Sequence, residues 1–162
     1  MKLEKRVILA LTEKNLTLAL AESCTGGAIA SALVSVPGAS RVFLGGVVSY
    51  TNAVKQAALG VSAETLARHT AVSAPVAREM AEGARARLLS DIAVSVTGLA
   101  GPGGGTAEIP VGRVFLGLAT REGSEVRCLT LSGSRRAIRR AAVREALSLI
   151  LSSVNSNSVN KT

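Results

Sequence analysis

Aromatic side chains are nearly missing from this chain of 162 residues. They make up 2% of it, as Phe43, Tyr50 and Phe115, and there is no tryptophan. Proteins that bind single-stranded nucleic acid commonly stack bases on aromatic rings, and this sequence supplies almost none. The core must be built from Ala, Val, Leu and Ile. With 48% hydrophobic and 19% charged residues, the chain has enough apolar side chains for such a core.

Cysteine and histidine are scarce as well. The chain holds Cys24, Cys128 and His69 and no others. Three such residues cannot supply the four N or S ligands of a structural zinc site, so we expect none. We predict no cofactor either. Two cysteines cannot form a disulfide framework, which predicts a reducing, cytoplasmic location. A single histidine leaves little room for a histidine-based triad, so the base of any nucleophilic chemistry is expected to be a lysine.

Long apolar runs are absent too. None approaches the roughly 18 residues that a membrane-spanning helix needs, because charged, Ser or Gly residues interrupt each one. Residues 1–14 mix Lys and Glu with apolar residues at helical spacing, which predicts a helix and not a signal peptide. We therefore predict a protein without a membrane partner. It forms a single domain over residues 1–151, followed by a frayed tail over residues 152–162.

Positive charge is in excess, and it is unevenly distributed. The net charge is +8, from 19 Lys and Arg against 11 Asp and Glu, which suggests an anionic partner. Much of the excess lies in one short segment that holds Arg135, Arg136, Arg139, Arg140 and Arg144. A local phosphate site explains this distribution better than a nucleic-acid-binding face, and a solvated helix face is the simpler alternative.

Hydrophobic periodicity predicts alternating strands and helices, followed by a hairpin. Helices are predicted up to Asn15, over Ala28–Val34 and Ala53–Leu59, from Ser62 to His69, from Ser73 to about Leu89, and from Ser134 to about Leu151. Strands are predicted over Leu16–Ala21, Val42–Tyr50, Ile92–Thr97, Val111–Thr120 and Val126–Leu131. This order predicts an α/β fold, a three-layer α/β/α sandwich with a mixed sheet. Active sites in such folds gather at the carboxyl ends of the strands.

The segment Glu22-Ser23-Cys24-Thr25-Gly26-Gly27 stands between a predicted buried strand and a helix. Free amides at a helix N-terminus can bind an anion, so Ser23 would have an oxyanion hole beside it. Alternatively, Ser23 or Thr25 merely caps the helix. Cys24 is a rival nucleophile, because a helix N-terminus lowers a thiol pKa. Side chains alternate, however, so only one of Ser23 and Cys24 can face a cleft.

Lys55 is the candidate base for Ser23. It lies in the first turn of a predicted helix, five residues after Tyr50 at a strand end, so both can point into one cleft. A solvated lysine is the alternative interpretation. Candidate substrate-binding residues lie in the Ser23 segment, beside Tyr50, at a strand end and in the glycine-rich loop over residues 98–110. They are Thr25, Gly26, Gly27, Asn52, Thr97, Gly101 and Gly104, together with Arg135 and Arg139 for a phosphate group.

A set of ordered motifs carries a family resemblance. They are AESCTGG (21–27), VPGAS (36–40), Tyr50-x-Asn52-x-x-Lys55, LGV (59–61), HTAVS (69–73), SVTGLAGPGGGT (95–106), PVG (110–112) and GSRRAIR (133–139). Together they closely resemble the CinA C-terminal domain family up to about Leu151, without the amino-terminal molybdopterin-binding-like domain of full-length CinA proteins. The chain departs at Ser134, where the family commonly has Asp, and at Ile109, where it often has Lys.

The resemblance implies an activity, because stand-alone members of this family are nicotinamide-nucleotide amidohydrolases. It implies hydrolysis of nicotinamide mononucleotide to nicotinic acid mononucleotide and ammonia, in pyridine-nucleotide salvage. Ser23 would be the nucleophile, Lys55 the base and Tyr50 a helper, in a homodimer that requires no metal. Two alternatives stay open: a nucleotide-binding or regulatory module without turnover, and a nucleic-acid binder supported only by the net charge.

Overall fold

A five-stranded sheet organises the structure, a computed structural model that describes residues 1–156. Along the chain the elements are α1 (Leu3–Lys14), β1 (Leu18–Glu22), α2 (Ala28–Val34), a 3-10 turn (Ala39–Arg41), β2 (Phe43–Val48), α3 (Asn52–Leu59), α4 (Ala63–His69), α5 (Ala74–Leu88), β3 (Ile92–Gly98), β4 (Arg113–Ala119), β5 (Ser124–Thr130) and α6 (Arg135–Ser156). Every predicted helix and strand is present, and most bounds move by one or two residues.

The sheet is mixed, in the order β2-β1-β3-β4-β5. Strand β1 pairs in parallel with both β2 and β3, whereas β3, β4 and β5 pair antiparallel. The carboxyl ends of the three parallel strands therefore meet at one edge of the sheet. The segments after β1 and β2 carry the predicted catalytic residues Ser23, Tyr50 and Lys55.

Helices cover both faces of the sheet, which confirms the predicted α/β/α sandwich. Leu18 and Leu20 of β1 face a core shared with α1, α2 and α6. Ala19 and Ala21 of the same strand face a second core, shared with α3, α4 and α5. The alternation follows from strand geometry, in which successive side chains point to opposite faces. No helix within residues 1–156 is long and apolar enough to cross a membrane.

The predicted end of the last helix is wrong. We predicted a frayed tail from residue 152, but α6 continues to Ser156. Ser153 and Val154 are buried, four residues after Leu149 and Ile150, so they extend the same apolar stripe by one turn. The rest of the predicted tail, residues 157–162, lies outside the described residues.

The carboxylate of Asp91 joins the starts of two neighbouring strands. The backbone N–H and the hydroxyl of Thr17 donate to its Oδ2 at 2.9 and 2.8 Å, and Arg121 donates to its Oδ1 at 2.7 Å. Burial alone would raise the pKa of Asp91, but the bonds from Thr17 and the charge of Arg121 outweigh it. The pKa of Asp91 lies below its usual value as a result.

We expect Asp91→Asn to lower the melting temperature at pH 7 by a few degrees, because it weakens charge-assisted bonds worth about 1 kcal/mol or more. A carboxyl whose folded pKa is depressed stabilises the fold above its unfolded pKa, about 3.9, and this contribution disappears as pH falls through the folded pKa. Thermal unfolding of both proteins between pH 7 and pH 3 should therefore show the difference shrinking in acid. A difference that stays constant with pH would contradict this role for Asp91.

Candidate active site

Three hydroxyl side chains lie next to one another where the parallel strands end. Glu22 of β1 is paired with Val48 of β2 and Val96 of β3. One residue further along each strand, Ser23 falls between Ser49 and Thr97. All three are on the face covered by α3–α5, because they continue the alternation that places Ala21 there. Thr97 donates its hydroxyl to the carbonyl of Ala71 at 2.7 Å, which ties this strand end to the α4–α5 connection.

Lys55 reaches this row of hydroxyls from α3. Its Nζ lies 3.1 Å from Oγ of Ser23 and 2.6 Å from the carbonyl oxygen of Ser49. Thr51 caps α3 and so starts the helix at the point that turns Lys55 inward. Lys55 is 1% exposed, so its interpretation as a solvated surface residue is wrong. Burial lowers the pKa of Lys55 below its usual value, as a general base requires.

Cys24 points the other way. Its side chain is buried in the core that α2 and α6 share with the sheet, as the alternation of side chains predicts. Burial raises the pKa of Cys24 to about 11. A helix N-terminus usually lowers the pKa of a thiol, but the pKa of Cys24 is raised. Cys24 is therefore a poor candidate for the nucleophile.

The N-terminus of α2 is already occupied by a carboxylate that the sequence analysis did not single out. Glu22 is buried and accepts the N–H groups of Gly27, Ile29 and Ala30 at 3.0, 3.2 and 2.8 Å. Our expectation that these amides are free to bind an anion is wrong, because Glu22 caps the helix. The available signal was an acidic residue at the end of a buried strand and directly before the turn.

Two amides of the turn, both in buried residues, have no backbone acceptor among residues 1–156. They are the N–H groups of Cys24 and Thr25. The turn that presents them needs glycine, because Gly26 and Gly27 adopt left-handed φ angles of 61° and 92°. The Thr25 hydroxyl is buried and has no hydrogen-bond partner among the described residues. The N–H group directly after a nucleophilic serine is a common oxyanion donor.

Arg139 holds this turn from α6. Its Nε donates to the carbonyl of Cys24 and its Nη2 to the carbonyl of Thr25, both at 2.9 Å. Two donors of the guanidinium are thus bound to the backbone of the turn that carries Ser23. We expected Arg139 to bind a phosphate, whereas in the structure it holds the two peptide units that follow Cys24.

Arg135, one helical turn earlier, joins Tyr50 to the glycine-rich loop. It donates to the carbonyl of Gly101 at 2.8 Å and to the Tyr50 hydroxyl at 3.1 Å. Tyr50 is 61% exposed, and the structure does not bring its hydroxyl to Ser23 or Lys55. A Cβ on Gly101 would lie 2.5 Å from Cγ1 of Val111, so a side chain does not fit there.

The other predicted residues lie around this centre. Asn52 is exposed at the start of α3, and Gly104 is exposed in the glycine-rich loop with a left-handed φ of 85°. His69 ends α4 and is exposed, as expected. Over residues 1–156, His, Cys, Asp and Glu side chains form no cluster of three or more that could hold a metal ion.

Comparisons with known proteins give this architecture a family. The CinA C-terminal domain matches residues 1–154. The chain belongs to the CinA C-terminal domain family. A CinA-like protein of Synechococcus sp. (strain CC9902) is 57% identical over 120 residues, which are 74% of this chain and 29% of that protein. A CinA-like protein of Anaeromyxobacter sp. (strain K) is 49% identical over 149 residues, 92% of this chain and 36% of that protein.

A solved structure agrees with the family's fold. The competence/damage inducible protein CihA from Agrobacterium tumefaciens is 45% identical and superposes with a TM-score of 0.90, over 94% of this chain and 93% of that one. This CinA domain spans about a third of the length of the curated relatives it matches. Family membership is consistent with hydrolase activity, and the names of these relatives state no reaction.

Proposed function

We propose that this CinA domain hydrolyses the carboxamide of nicotinamide mononucleotide, giving nicotinic acid mononucleotide and ammonia. The observation that carries the proposal is the contact of 3.1 Å between Nζ of a buried lysine, Lys55, and Oγ of Ser23. A serine activated by a neighbouring base is the recurring arrangement for acyl transfer. The choice of substrate rests on the resemblance of the motifs to nicotinamide-nucleotide amidohydrolases.

The first half of the reaction transfers the acyl group to the enzyme. Neutral Lys55 takes the hydroxyl proton of Ser23 along the 3.1 Å contact, while Oγ bonds to the carboxamide carbon. The N–H group of Cys24, directly after the nucleophile, is the donor that we expect to stabilise the tetrahedral oxyanion. Protonated Lys55 then gives its proton to the departing nitrogen as the C–N bond breaks. Ammonia leaves, and a nicotinoyl ester of Ser23 remains.

The second half uses water in place of the serine. Lys55, neutral again, removes a proton from a water molecule that attacks the ester carbon, and it returns the proton to Oγ of Ser23 as the ester bond breaks. The sum is amide plus water to acid plus ammonia, with the enzyme unchanged. Burial lowers the pKa of Lys55, and the positive pyridinium of the substrate adds to this effect.

The start of α6 is the proposed binding site for the nucleotide phosphate. Ser134 caps this helix through the N–H of Ala137 at 3.2 Å, so the positive end of the helix dipole is exposed there. Arg135 and Arg136 are exposed in the first turn. A charge-assisted contact from a guanidinium to phosphate is stronger than a neutral hydrogen bond.

Ammonia release from a panel of nicotinamide compounds tests the proposal. We expect turnover of nicotinamide mononucleotide and little turnover of free nicotinamide, which lacks the phosphate. Binding of the nucleotide without ammonia release would instead support the alternative, a regulatory or nucleotide-binding module. Salt-dependent binding to DNA without any nucleotide binding would support the nucleic-acid binder.

The two arginines should separate binding from turnover. We expect Arg135→Ala to raise KM for nicotinamide mononucleotide about tenfold, roughly 1.4 kcal/mol, with a smaller effect on kcat. Arg139→Ala should mainly lower kcat, by about tenfold or more, because it releases the two peptide units that follow Cys24 in the Ser23 turn. Steady-state kinetics with Arg144→Ala as the control, an exposed arginine further along α6, measures both effects. Equal KM increases for Arg135→Ala and Arg139→Ala would assign both residues to the phosphate.

We also propose that the enzyme acts in the cytoplasm as a homodimer. The cytoplasmic assignment rests on the sequence, which has only two cysteines, and both are free. The homodimer rests on the family resemblance alone. Light scattering of the purified chain measures its mass in solution, and a monomeric mass would contradict the homodimer.

A further inference from the structure

The Ser49 hydroxyl has no assigned role in the chemistry above, although it lies beside the reactive pair. Ser49 is 0% exposed, and no hydrogen-bond partner for its Oγ is found in the part of the chain that the structure describes. Both backbone groups of Ser49 are hydrogen-bonded. The N–H donates to the backbone carbonyl of Glu22 at 2.8 Å, and the carbonyl accepts a hydrogen bond from Nζ of Lys55 at 2.6 Å. A buried hydroxyl without a partner destabilises a fold, so its presence at this centre needs an explanation.

The protonation of Lys55 provides the missing partner. A lysine ammonium has three N–H donors. Two of them face Oγ of Ser23 and the carbonyl oxygen of Ser49, which leaves the third without an acceptor among residues 1–156. The Ser49 hydroxyl makes no hydrogen bond with Nζ in the structure, but it is attached to the same residue as that carbonyl, and rotation about χ1 gives Oγ three staggered positions.

We propose that Ser49 is a positioning residue for Lys55, and that its hydroxyl accepts the third N–H when Lys55 takes the proton of Ser23. This inference rests on the proposed amide hydrolysis. In the proton transfer the O–H bond of Ser23 breaks and an N–H bond on Lys55 forms. The positive charge on Nζ then has three oxygen acceptors in place of two, which matters because Lys55 is buried.

The ionisable groups described around Lys55 are either neutral or bound elsewhere, so a neutral hydroxyl is the expected third acceptor. The thiol of Cys24 stays neutral at pH 7, because burial raises its pKa to about 11. The carboxylate of Glu22 is bound to the amides at the start of α2. Arg139 faces the backbone of the Ser23 turn, and Arg87 of α5 lies against Gly60 at the far end of α3.

Ser49→Ala tests the inference, with Ser90→Ala as the matched control. Ser90 is also buried with an unpartnered hydroxyl, but it precedes β3 at the opposite end of the sheet. Both variants should melt at or above the wild-type temperature, because each removes an unsatisfied polar group. Only Ser49→Ala should lower the plateau value of kcat, by about tenfold, with KM within about twofold of the wild type.

The pH dependence gives a second readout with a definite sign. Loss of an acceptor disfavours the ammonium form, so the pKa of Lys55 in Ser49→Ala should lie about one pH unit below that of the wild type. The acid limb of kcat/KM should move to lower pH by the same amount. Nitrogen-15 NMR of the lysine side chains follows this titration without any substrate.

The two measurements separate failure of the inference from failure of the proposed function. Wild-type protein that releases no ammonia would overturn the proposed reaction, while the NMR titration would still report on Ser49 and Lys55. A Lys55 titration and a kcat that are the same in Ser49→Ala as in Ser90→Ala would overturn the role of Ser49. A change in KM alone would do so too, because it would place the hydroxyl against the substrate.

Discussion

Ser23→Ala is expected to abolish ammonia release, with a loss of about a thousandfold or more in kcat, whereas Cys24→Ala retains most of the activity. The reason is geometric, since Oγ of Ser23 lies 3.1 Å from the base and the Cys24 thiol is buried in the opposite core. The raised pKa of Cys24, about 11, also keeps its thiol protonated at neutral pH. Steady-state ammonia release at saturating substrate measures both variants.

The control for this comparison is stability. Cys24→Ala removes a buried sulfur and should cost about 1 kcal/mol or more, so its activity is measured well below its melting temperature. Ser23→Ala removes only one hydroxyl and should melt close to the wild type. An inactive but folded Cys24→Ala together with an active Ser23→Ala would transfer the role of nucleophile to the cysteine.

Lys55→Arg is expected to be as inactive as Lys55→Ala. A guanidinium keeps its proton at every accessible pH, so it cannot take the proton of Ser23. In the wild type, kcat/KM should rise with pH through the pKa of Lys55, which burial places below its usual value of about 10.4. Both variants should lose this rise as well as the rate.

Lys55→Met is the matched control for the fold. It keeps an unbranched side chain of similar length, and it removes the cost of a buried amine, so it should melt at or above the wild-type temperature while remaining inactive. A folded Lys55→Arg with substantial turnover would show that Lys55 acts through its charge. The base would then have to be another group.

The sequence predicts the layers and the Ser23–Lys55 neighbourhood because both depend on local periodicity. Strand alternation decides that Ser23 and Cys24 point to opposite faces, and the first turn of α3 turns Lys55 toward the end of β2. Arg139 contacts Cys24 and Thr25, which precede it in the chain by 115 and 114 positions. Only the packing of α6 against the sheet reveals these contacts. A phosphate-binding arginine and one that holds the turn look the same in a sequence.

The cap of α2 escaped prediction for a different reason. Helix capping is usually sought in Ser, Thr, Asn or Asp directly before the first turn, or in a Glu three residues into the helix. Glu22 instead precedes the first residue of α2 by six positions, and it reaches the amides only because the glycine turn brings the chain back. The predicted end of α6 is too early because Ser152 and Ser153 interrupt the apolar residues by which the helix is predicted.

Arg139 attaches the turn that carries Ser23 to α6, so the stability of this helix affects the alignment of Ser23. This helix is about 33 Å long, from 22 residues at about 1.5 Å each, and its inner face packs against α1 and the sheet through most of that length. Segments that open easily in native proteins have few buried contacts, and α6 is the reverse. We therefore expect the amides of α6 to exchange slowly with solvent, and the turn that carries Ser23 to stay aligned through brief local fluctuations.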